Sequence, residues 1–405
     1  MIDISAEATA ALHSRERAAG YEPARLFEAK ALVVGAGAVG QNLLVALGLA
    51  GIGHLMVTDF DHFEPHNATR SPLYPSRDEA HRWGKEKATV AARKVAPMMT
   101  APNPEVRAAV TAVQELGDLP IHWADLVFAA VDNPAARAYL TERCQLLAKP
   151  LLEAGFEGPD LNLSVFAPSA DQACFRCLNP ARIGAFSCAR YALDAERRQI
   201  IPAIQNGAAV LAALQAEQGI QWLHGRASLV GKRAYVNIRS LEVTVATLRR
   251  NPNCPAPHRT YGPPVLVDLD ADAPIGRLLS EVGAICGPAS LRLADSLVVR
   301  NFCDGCHTVT QAGVPEWRWL RVPRCRRCGG PFPPAAPGQQ PASLDILDSE
   351  VHDEVWEISC MQAGVVPGSV VEVFAKRGAP WLLQIPGDLD VLAPPVPLSQ
   401  TAPGR

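Results

Sequence analysis

The sequence lacks an excess of charge of either sign. Its 38 Lys and Arg residues nearly balance 41 Asp and Glu residues, so the formal net charge is −3. Nucleic acids and anionic membranes recruit proteins through clustered positive charge. The composition therefore predicts neither nucleic acid nor a membrane as the main partner. Hydrophobic residues make up 48% of the 405 residues, which is ordinary globular composition and enough for two domains.

Two further absences bear on location. The first seven residues, Met1–Glu7, lack the basic start and apolar run of a secretory signal. Residues 31–58 contain no Asp, Glu, Lys or Arg, a window that hydropathy alone would assign to a membrane. The six glycines in that window and its Gln41-Asn42 pair favour a buried strand, a tight turn and a buried helix instead. We expect a soluble, cytoplasmic protein.

Apolar runs alternate with helical segments from residue 30 onward. Strands are predicted at Ala31–Val34, Leu55–Thr58, Leu126–Val131 and, as an alternating stretch, Ala234–Val245. Helices are predicted at Gln41–Ala50, at Lys85–Met98, from Pro134 and at Pro202–His224. This alternation predicts an α/β fold with a doubly wound, mostly parallel, Rossmann-like sheet.

A glycine-rich turn follows the first predicted strand. Gly35, Gly37 and Gly40 fit the G-x-G-x-x-G pattern between a strand and a helix. Glycine lets the backbone approach a phosphate closely, and the helix N-terminus offers free N–H groups to an anion. Asp59 ends the next strand, where a carboxylate can bind ribose hydroxyls. Alone, these features fit a nicotinamide-dependent dehydrogenase equally well.

The segment after this strand distinguishes a dehydrogenase from another class of nucleotide-binding enzyme. Residues 59–70, DFDHFEPHNATR, resemble the D-x-D-x-x-x-x-x-N-x-x-R signature of the ThiF/MoeB/HesA superfamily, the relatives of ubiquitin-activating enzymes. The segments at 84–88, GKEKA, and 131–137, VDNPAAR, resemble that family's G-x-x-K-A and D-N-x-x-x-R motifs. A dehydrogenase has no reason to place Asn and Arg after its ribose-binding Asp. The resemblance covers about residues 25–260.

The resemblance implies ATP-dependent adenylation of a carboxylate. Both reactants are anionic and the carboxylate is already ionised at pH 7, so the site needs cations and positioning more than a base. Arg70 and Lys87 would then neutralise phosphate charge, and Asp132 would hold Mg²⁺. Asp59 and Asp61 would flank the ribose and metal, and Asn67 would contact phosphate.

Two positions depart from the family pattern. The spacing between the signature arginine and the lysine motif is longer than in close relatives, so Lys85 is an alternative to Lys87. The family also uses an arginine that reaches across a dimer; Arg15 and Arg17 lie in that region, and Arg17 is the candidate.

Six of the eleven cysteines form three C-x-x-C pairs. Without a secretion signal, this spacing favours metal over disulfides. Two of the pairs make a self-contained zinc ribbon within residues 300–331, with ligands Cys303, Cys306, Cys325 and Cys328. Its role, stability alone or docking of a partner, stays open.

The resemblance implies a second zinc site and a reactive thiol. Cys174 and Cys177 resemble the family's first zinc pair, and Cys254 with His258 would complete the site. The alternative is that Cys254 is a buried thiol and zinc is absent there. Cys188 would attack the acyl-adenylate or form an acyl disulfide, the alternative being an ordinary small residue in a loop.

The sequence thus predicts an adenylyltransferase domain at 1–260 and a small C-terminal domain at 261–405 with the zinc ribbon and a Pro-rich linker. The implied cofactors are ATP, Mg²⁺ and Zn²⁺. The implied partners are a ubiquitin-like β-grasp protein with a Gly-Gly tail, a conjugating-enzyme-like acceptor and a second copy of the chain. Three alternatives remain: activation of a sulfur carrier for cofactor synthesis, an NAD(P)-dependent oxidoreductase with a structural zinc domain, and a catalytically inactive scaffold.

Overall fold

The structure is a computed structural model that describes residues 11–179, 204–303, 305–319, 325, 327–330, 342–348 and 355–397. Within these ranges the chain forms one sheet of eight strands and one of six. No helix in the described ranges is both long enough and apolar enough to span a lipid bilayer. The Pro-rich linker expected after residue 331 lies outside the described residues.

The first sheet is built from the N-terminal part of the chain. Its strands are β1 (Lys30–Val34), β2 (His54–Thr58), β3 (Glu105–Ala109), β4 (Leu126–Ala129), β5 (Leu151–Glu157), β6 (Asp160–Phe166), β7 (Lys232–Asn237) and β8 (Glu242–Thr247). They lie in the order β3-β2-β1-β4-β5-β6-β7-β8. The first five in this order are parallel, and the last three are antiparallel to their neighbours. The doubly wound, mostly parallel sheet predicted from the sequence is therefore confirmed.

Helices cover both faces of this sheet. They are α1 (Ser14–Ala18), α2 (Pro23–Glu28), α3 (Ala38–Ala50), α4 (Arg77–Trp83), α5 (Lys87–Val95), α6 (Leu119–Trp123), α7 (Pro134–Leu146), α8 (Phe175–Leu178) and α9 (Gln205–Leu223). Strand β1 shows why: Ala31 and Val33 belong to the core under α3, α5 and α9. Leu32 and Val34 point the other way, into the core under α6 and α7. A strand buried on both faces needs apolar side chains throughout.

The C-terminal part of the chain forms the second sheet. Its elements are β9 (Val265–Leu266), α10 (Ile275–Cys286), β10 (Ala289–Phe302), β11 (Val309–Pro315), α11 (Glu316–Trp319), β12 (Ala342–Asp348), β13 (Val370–Ala375), β14 (Trp381–Gln384) and α12 (Leu389–Leu392). The strand order is β11-β10-β13-β14-β9, and β12 also pairs with β10. Helix α10 buries one apolar face against this sheet. The domain boundary at residue 260 falls between the two sheets and stays a prediction.

Element boundaries differ from the sequence predictions at a few points. The helix expected at Lys85–Met98 begins only at Lys87, because Gly84 has a φ of +82° and Glu86 is extended. It ends at Val95, and Pro97 lies in the short 3-10 turn that follows. The strand expected to reach Val131 ends at Ala129, where its pairing to β1 and β5 stops.

Candidate functional site

The glycine turn between β1 and α3 leaves no room for a side chain at Gly35 or Gly40. Gly35 has a φ of +99°, and a Cβ there would lie 2.5 Å from the carbonyl oxygen of Ala130. A Cβ on Gly40 would lie 1.9 Å from the carbonyl oxygen of Gly35. Gly37 differs, because a Cβ there would have no heavy atom within 4 Å. The turn is therefore packed tightly against β4 on one side and open on the other.

The open side of this turn is the N-terminus of α3. Gly37 is the residue that caps the helix, and it has no side chain with which to accept from the first N–H groups. These N–H groups and the helix dipole give the turn a partial positive charge. The arrangement suits a phosphate.

Asp59 is fixed to the glycine turn from the end of β2. Its carboxylate accepts from the N–H of Ala36 at 2.6 Å and from the N–H of Asp61 at 2.8 Å. Burial raises the pKa of Asp59, while the two N–H bonds and the nearby Lys87 oppose that rise. Each carboxylate oxygen keeps a second lone pair, so Asp59 can still accept from a ribose hydroxyl.

Lys87 faces the same region. Its Nζ lies 3.0 Å from Oδ2 of Asp61, and its backbone N–H donates to the carbonyl of Asp61 at 2.9 Å. The Lys87 side chain is only 13% exposed, whereas Lys85 is exposed to solvent. The structure therefore brings Lys87 to the candidate site, and Lys85 does not share its contacts.

Asn67 and Arg70 belong to the loop that follows β2. Oδ1 of Asn67 accepts from the N–H of Glu64 at 2.8 Å and so caps the 3-10 turn Pro65–Asn67. Only the Nδ2 group of Asn67 can then meet a phosphate. Arg70 donates through Nη1 to the carbonyl of His66 at 2.9 Å, which holds its guanidinium along the same loop.

Asp132 lies between β4 and α7, beside a cavity of about 460 Å³. The neighbouring Asn133 caps α7 by accepting from the N–H of Ala136 at 2.7 Å, and this fixes the segment that carries Asp132. The Asp132 carboxylate is exposed. The cavity also exposes polar side chains that the sequence analysis did not assign: Arg137, Glu153, Asn162, Arg233 and Tyr235.

The predicted zinc ligands converge in two clusters. In the first, Sγ of Cys174 lies 3.9 Å from Sγ of Cys177, 3.7 Å from Sγ of Cys254 and 3.4 Å from Nε2 of His258. The ligand atoms of all four lie within 4.8 Å of one another. Burial lowers the pKa of His258, which favours the neutral ring that a metal requires.

The second cluster joins two turns of the C-terminal sheet. Sγ of Cys303 lies 3.7 Å from Sγ of Cys328, and Sγ of Cys306 lies 3.7 Å from Sγ of Cys325. Zinc–sulfur bonds of about 2.3 Å in a tetrahedron give edges of about 3.8 Å. The spacing of both clusters therefore fits a tetrahedral ion with thiolate or imidazole ligands.

Two predicted site residues have no place in this geometry. Cys188 lies outside the described residues. Arg17 lies on the exposed helix α1, and the site as described within one chain does not include it.

Comparison with known proteins supplies a family and a fold. The ThiF family model matches residues 14–256. A sulfur carrier protein adenylyltransferase of Thermus thermophilus is 30% identical over 274 residues, which cover 65% of this chain and 90% of that protein. Ubiquitin-like modifier-activating enzyme 7 of Homo sapiens is 37% identical over 154 residues, but only 14% of its length is spanned. The matched segment likewise spans only 14% of the length of ubiquitin-activating enzyme E1 1 of Schizosaccharomyces pombe.

A solved structure agrees on the fold. The MccB protein of E. coli, crystallised with MccA, superposes with a TM-score of 0.50 at 20% identity. The match covers 62% of this chain and 74% of that one. At this identity the likeness concerns the fold alone.

Proposed function

The chain belongs to the ThiF family, and on that premise we propose that it adenylates the C-terminal carboxylate of a small ubiquitin-like protein. The observation that carries the proposal is the grouping of the glycine turn, Asp59, Lys87 and Asp132 near the carboxyl ends of β1, β2 and β4. Ligands of open α/β sheets bind at this edge, where the strand order reverses. Here the reversal lies between β1 and β4.

The reaction needs little proton transfer. One oxygen of the carboxylate attacks the α-phosphorus of ATP, the bond from that phosphorus to the bridging oxygen breaks, and pyrophosphate leaves with the electron pair. The product is an acyl-adenylate. Because the carboxylate is ionised at pH 7, the barrier is mainly repulsion between anions and loss of freedom. Fixed positive groups reduce the first cost, and a shaped cavity reduces the second.

Each residue of the site has a separate role in this reaction, set by where it lies. The glycine turn and the N-terminus of α3 cradle phosphate, and Asp59 accepts from the ribose. Lys87 and Arg70 compensate phosphate charge, and Lys87 exchanges its partner Asp61 for a phosphate oxygen when ATP binds. Asn67 contacts phosphate through its Nδ2 group. Asp132 would hold Mg²⁺, an ion that prefers carboxylate and phosphate oxygens and would neutralise further charge.

The thiol clusters have a supporting role in this proposal. Both would hold structural Zn²⁺, because four closely spaced ligands leave no open position for chemistry. The first cluster ties the segment after β6 to the segment after β8. Cys188, which follows Cys177 in sequence, would attack the acyl carbon of the adenylate and displace AMP, which gives a thioester. If a persulfide donor has first placed a second sulfur on Cys188, the same displacement of AMP gives an acyl disulfide.

The small partner is the less defined part of the proposal. The match over 90% of the Thermus sulfur carrier adenylyltransferase supports a sulfur carrier. Residues 261–405 lie beyond the ThiF match, and we propose that this part of the chain, which carries the second thiol cluster, docks an acceptor protein. We propose that the chain works as a homodimer, in which Arg17 reaches the partner's nucleotide.

ATP–pyrophosphate exchange tests the proposal directly. Exchange should require both a Gly-Gly-tailed carrier protein and Asp132, with Asp132→Ala reducing the rate by about 100-fold or more. Asp78→Asn, at an exposed carboxylate on α4, is the matched control and should leave the rate unchanged. Exchange that survives Asp132→Ala would contradict the assignment. No exchange with any carrier, together with tight NAD(P)H binding, would favour an oxidoreductase.

The second stage of the assay follows the acyl group. Mass spectrometry of the carrier after reaction with a sulfur donor distinguishes a thiocarboxylate from a thioester on the chain. Cys188→Ala should abolish the covalent intermediate and leave exchange intact. Loss of exchange in this variant would contradict a role confined to acyl transfer.

A further inference from the structure

Glu153 is a carboxylate buried in the wall of the cavity beside Asp132. It lies on β5 in register with Ala129, the last residue of β4, and its side chain is only 1% exposed. A carboxylate removed from water is costly unless cationic groups meet it. Arg137 of α7 pairs with its Oε1, and Nη2 of Arg233 on β7 lies 2.8 Å from its Oε2. Glu153 is therefore fixed between two elements that both reach the cavity.

Arg137 extends this contact to the segment that carries Asp132. Its Nη2 group donates to the carbonyl oxygen of Val131 at 2.7 Å, and Val131 directly precedes Asp132. On the other side, Asn133 is fixed as the cap of α7 by its bond to the N–H of Ala136. The backbone is thus held on both sides of Asp132, whose own carboxylate is exposed.

The guanidinium of Arg137 lies against a glycine of β5. A Cβ on Gly155 would lie 3.1 Å from Nη2 of Arg137 and 3.3 Å from its Nη1. Both distances are shorter than ordinary van der Waals contact, so a larger residue at 155 would require the guanidinium to move. Glu153 and Gly155 are two residues apart on one strand and therefore face the same side of the sheet. One strand thus supplies both the anionic partner of Arg137 and the space for it.

The other oxygen of Glu153 is anchored within the sheet. Arg233 donates through Nε to Oγ of Ser164 on β6 at 2.7 Å, so its guanidinium bridges Ser164 and Glu153. Strands β5, β6 and β7 are neighbours in the first sheet. A continuous series of side-chain contacts therefore runs from β6 and β7 through Glu153 and Arg137 to the carbonyl group next to Asp132.

We infer that Glu153 is a positioning residue for Asp132 and that it acts by holding Arg137 against the carbonyl of Val131. The inference rests on the proposed function, in which Asp132 holds Mg²⁺ together with the phosphates of ATP. An exposed carboxylate suits this ion, because Mg²⁺ in nucleotide sites takes one or two carboxylates, phosphate oxygens and water. Residues that orient a metal ligand change the metal affinity by about 10- to 100-fold when they are replaced.

Manganese binding tests the inference without requiring turnover. Mn²⁺ occupies the same oxygen-rich sites as Mg²⁺, and electron paramagnetic resonance measures the free ion. Mn²⁺ is titrated into the full chain in the presence of a non-hydrolysable ATP analogue. Glu153→Gln keeps the size of the side chain but removes the charge that holds Arg137. It should weaken Mn²⁺ binding by about tenfold or more.

Asp118→Asn is the matched control for this variant. The Asp118 carboxylate is also 1% exposed and also pairs with a guanidinium, that of Arg143. Its contacts join α7 to β13 instead of holding the segment around Asp132. Asp118→Asn should therefore keep the wild-type Mn²⁺ affinity, even though it also disrupts a buried ion pair. Circular dichroism verifies that each variant is folded at the temperature of the titration.

A double-mutant cycle shows whether the effect of Glu153 passes through Asp132. Asp132→Ala should weaken Mn²⁺ binding and leave the phosphates of the analogue as the remaining ligands. In that background Glu153→Gln should cause little further loss, because no carboxylate is left to be positioned. Gly155→Ala is a second variant, which keeps every charge and displaces only the guanidinium of Arg137. It should weaken Mn²⁺ binding as well.

The inference is overturned by wild-type Mn²⁺ affinity in Glu153→Gln, or in Gly155→Ala where Glu153→Gln does not fold. An equal loss in Asp118→Asn would also overturn it, and so would a full effect of Glu153→Gln in the Asp132→Ala background. Wild-type affinity in Asp132→Ala would show that this carboxylate does not hold the ion. ATP–pyrophosphate exchange is measured separately. Absence of exchange in a wild-type chain whose Mn²⁺ affinity depends on Glu153 would remove the adenylation proposal and leave the positioning role standing.

Discussion

We predict that Asp118→Ala will be among the most destabilising single changes in this chain. Asp118 is 1% exposed, and its carboxylate accepts from Nε and Nη2 of Arg143 at 2.7 Å each. Oδ2 also accepts from the N–H of Val370 at 2.6 Å. Since Arg143 lies on α7 and Val370 on β13, this ion pair joins the first sheet's helices to the second sheet.

The expected loss follows from the burial of Arg143, whose side chain is only 6% exposed. Removing Asp118 leaves that guanidinium charged, away from water and without its carboxylate. Breaking a buried pair from one side costs about 3–5 kcal/mol of unfolding free energy. Replacing both partners with apolar residues of similar size removes the stranded charge. The double variant Asp118→Leu/Arg143→Met should therefore lose clearly less than Asp118→Ala.

Urea denaturation followed by tryptophan fluorescence and by circular dichroism measures these differences. Asp171→Ala, at an exposed loop carboxylate, is the control and should change the unfolding free energy by less than about 0.5 kcal/mol. The reasoning is refuted if Asp118→Ala costs under about 1 kcal/mol, because a buried unpaired guanidinium cannot be that inexpensive. A double variant as unstable as the single one would refute it equally, since the loss would then not come from the stranded charge.

Three further predictions concern the nucleotide turn, the thiol clusters and pH. Gly40→Ala should lower the affinity for a fluorescent ATP analogue by about tenfold or more, since its Cβ would lie 1.9 Å from a carbonyl oxygen. Gly37→Ala should leave the melting temperature unchanged, because its Cβ meets no atom within 4 Å. Cys174→Ser and Cys303→Ser should each reduce the zinc content from two ions per chain to one, measured by a metal-release assay; unchanged content would contradict the site concerned. Burial raises the pKa of Asp295 to about 7, so this carboxyl binds its proton more tightly in the folded chain. Its stabilising contribution is complete below the unfolded pKa and is lost as pH rises toward 7, and Asp295→Asn should flatten that decline in unfolding free energy by up to about 1.4 kcal/mol per pH unit.

The sequence was most informative where a structural requirement is local. Strands β1, β2 and β4 are short apolar runs between turns, and burial on both faces demands that pattern. The requirement for glycine in the turn is similarly local, because Gly40 packs against the carbonyl oxygen of Gly35, only five residues away. Most of the second sheet was not predicted, since β10 alternates between apolar and polar residues only over Ala289–Leu293, and Ala294 and Asp295 interrupt the pattern.

The thiol clusters could be predicted from the sequence only in part. Each C-x-x-C pair is a local pattern, so both pairs of the second cluster could be read from spacing alone. His258 could not, because its partners Cys174 and Cys177 are distant in sequence, and only the family resemblance pointed to it. The Nε2 atom of His258 lies 3.4 Å and 3.3 Å from the two sulfur atoms, so the fold supplies the proximity that spacing does not encode.

The charged side chains that line the cavity beside Asp132 show why the rest of a site cannot be predicted from the sequence. Arg137, Glu153 and Arg233 lie on three elements, and nothing in their separate neighbourhoods marks them as a group. Their grouping follows from burial: Glu153 is only 1% exposed, and a buried carboxylate needs cationic partners, which Arg137 and Arg233 provide. A single buried arginine would be both costly and loosely placed. With Glu153 between them, the two arginines are held in place from α7 and β7 where they line the cavity.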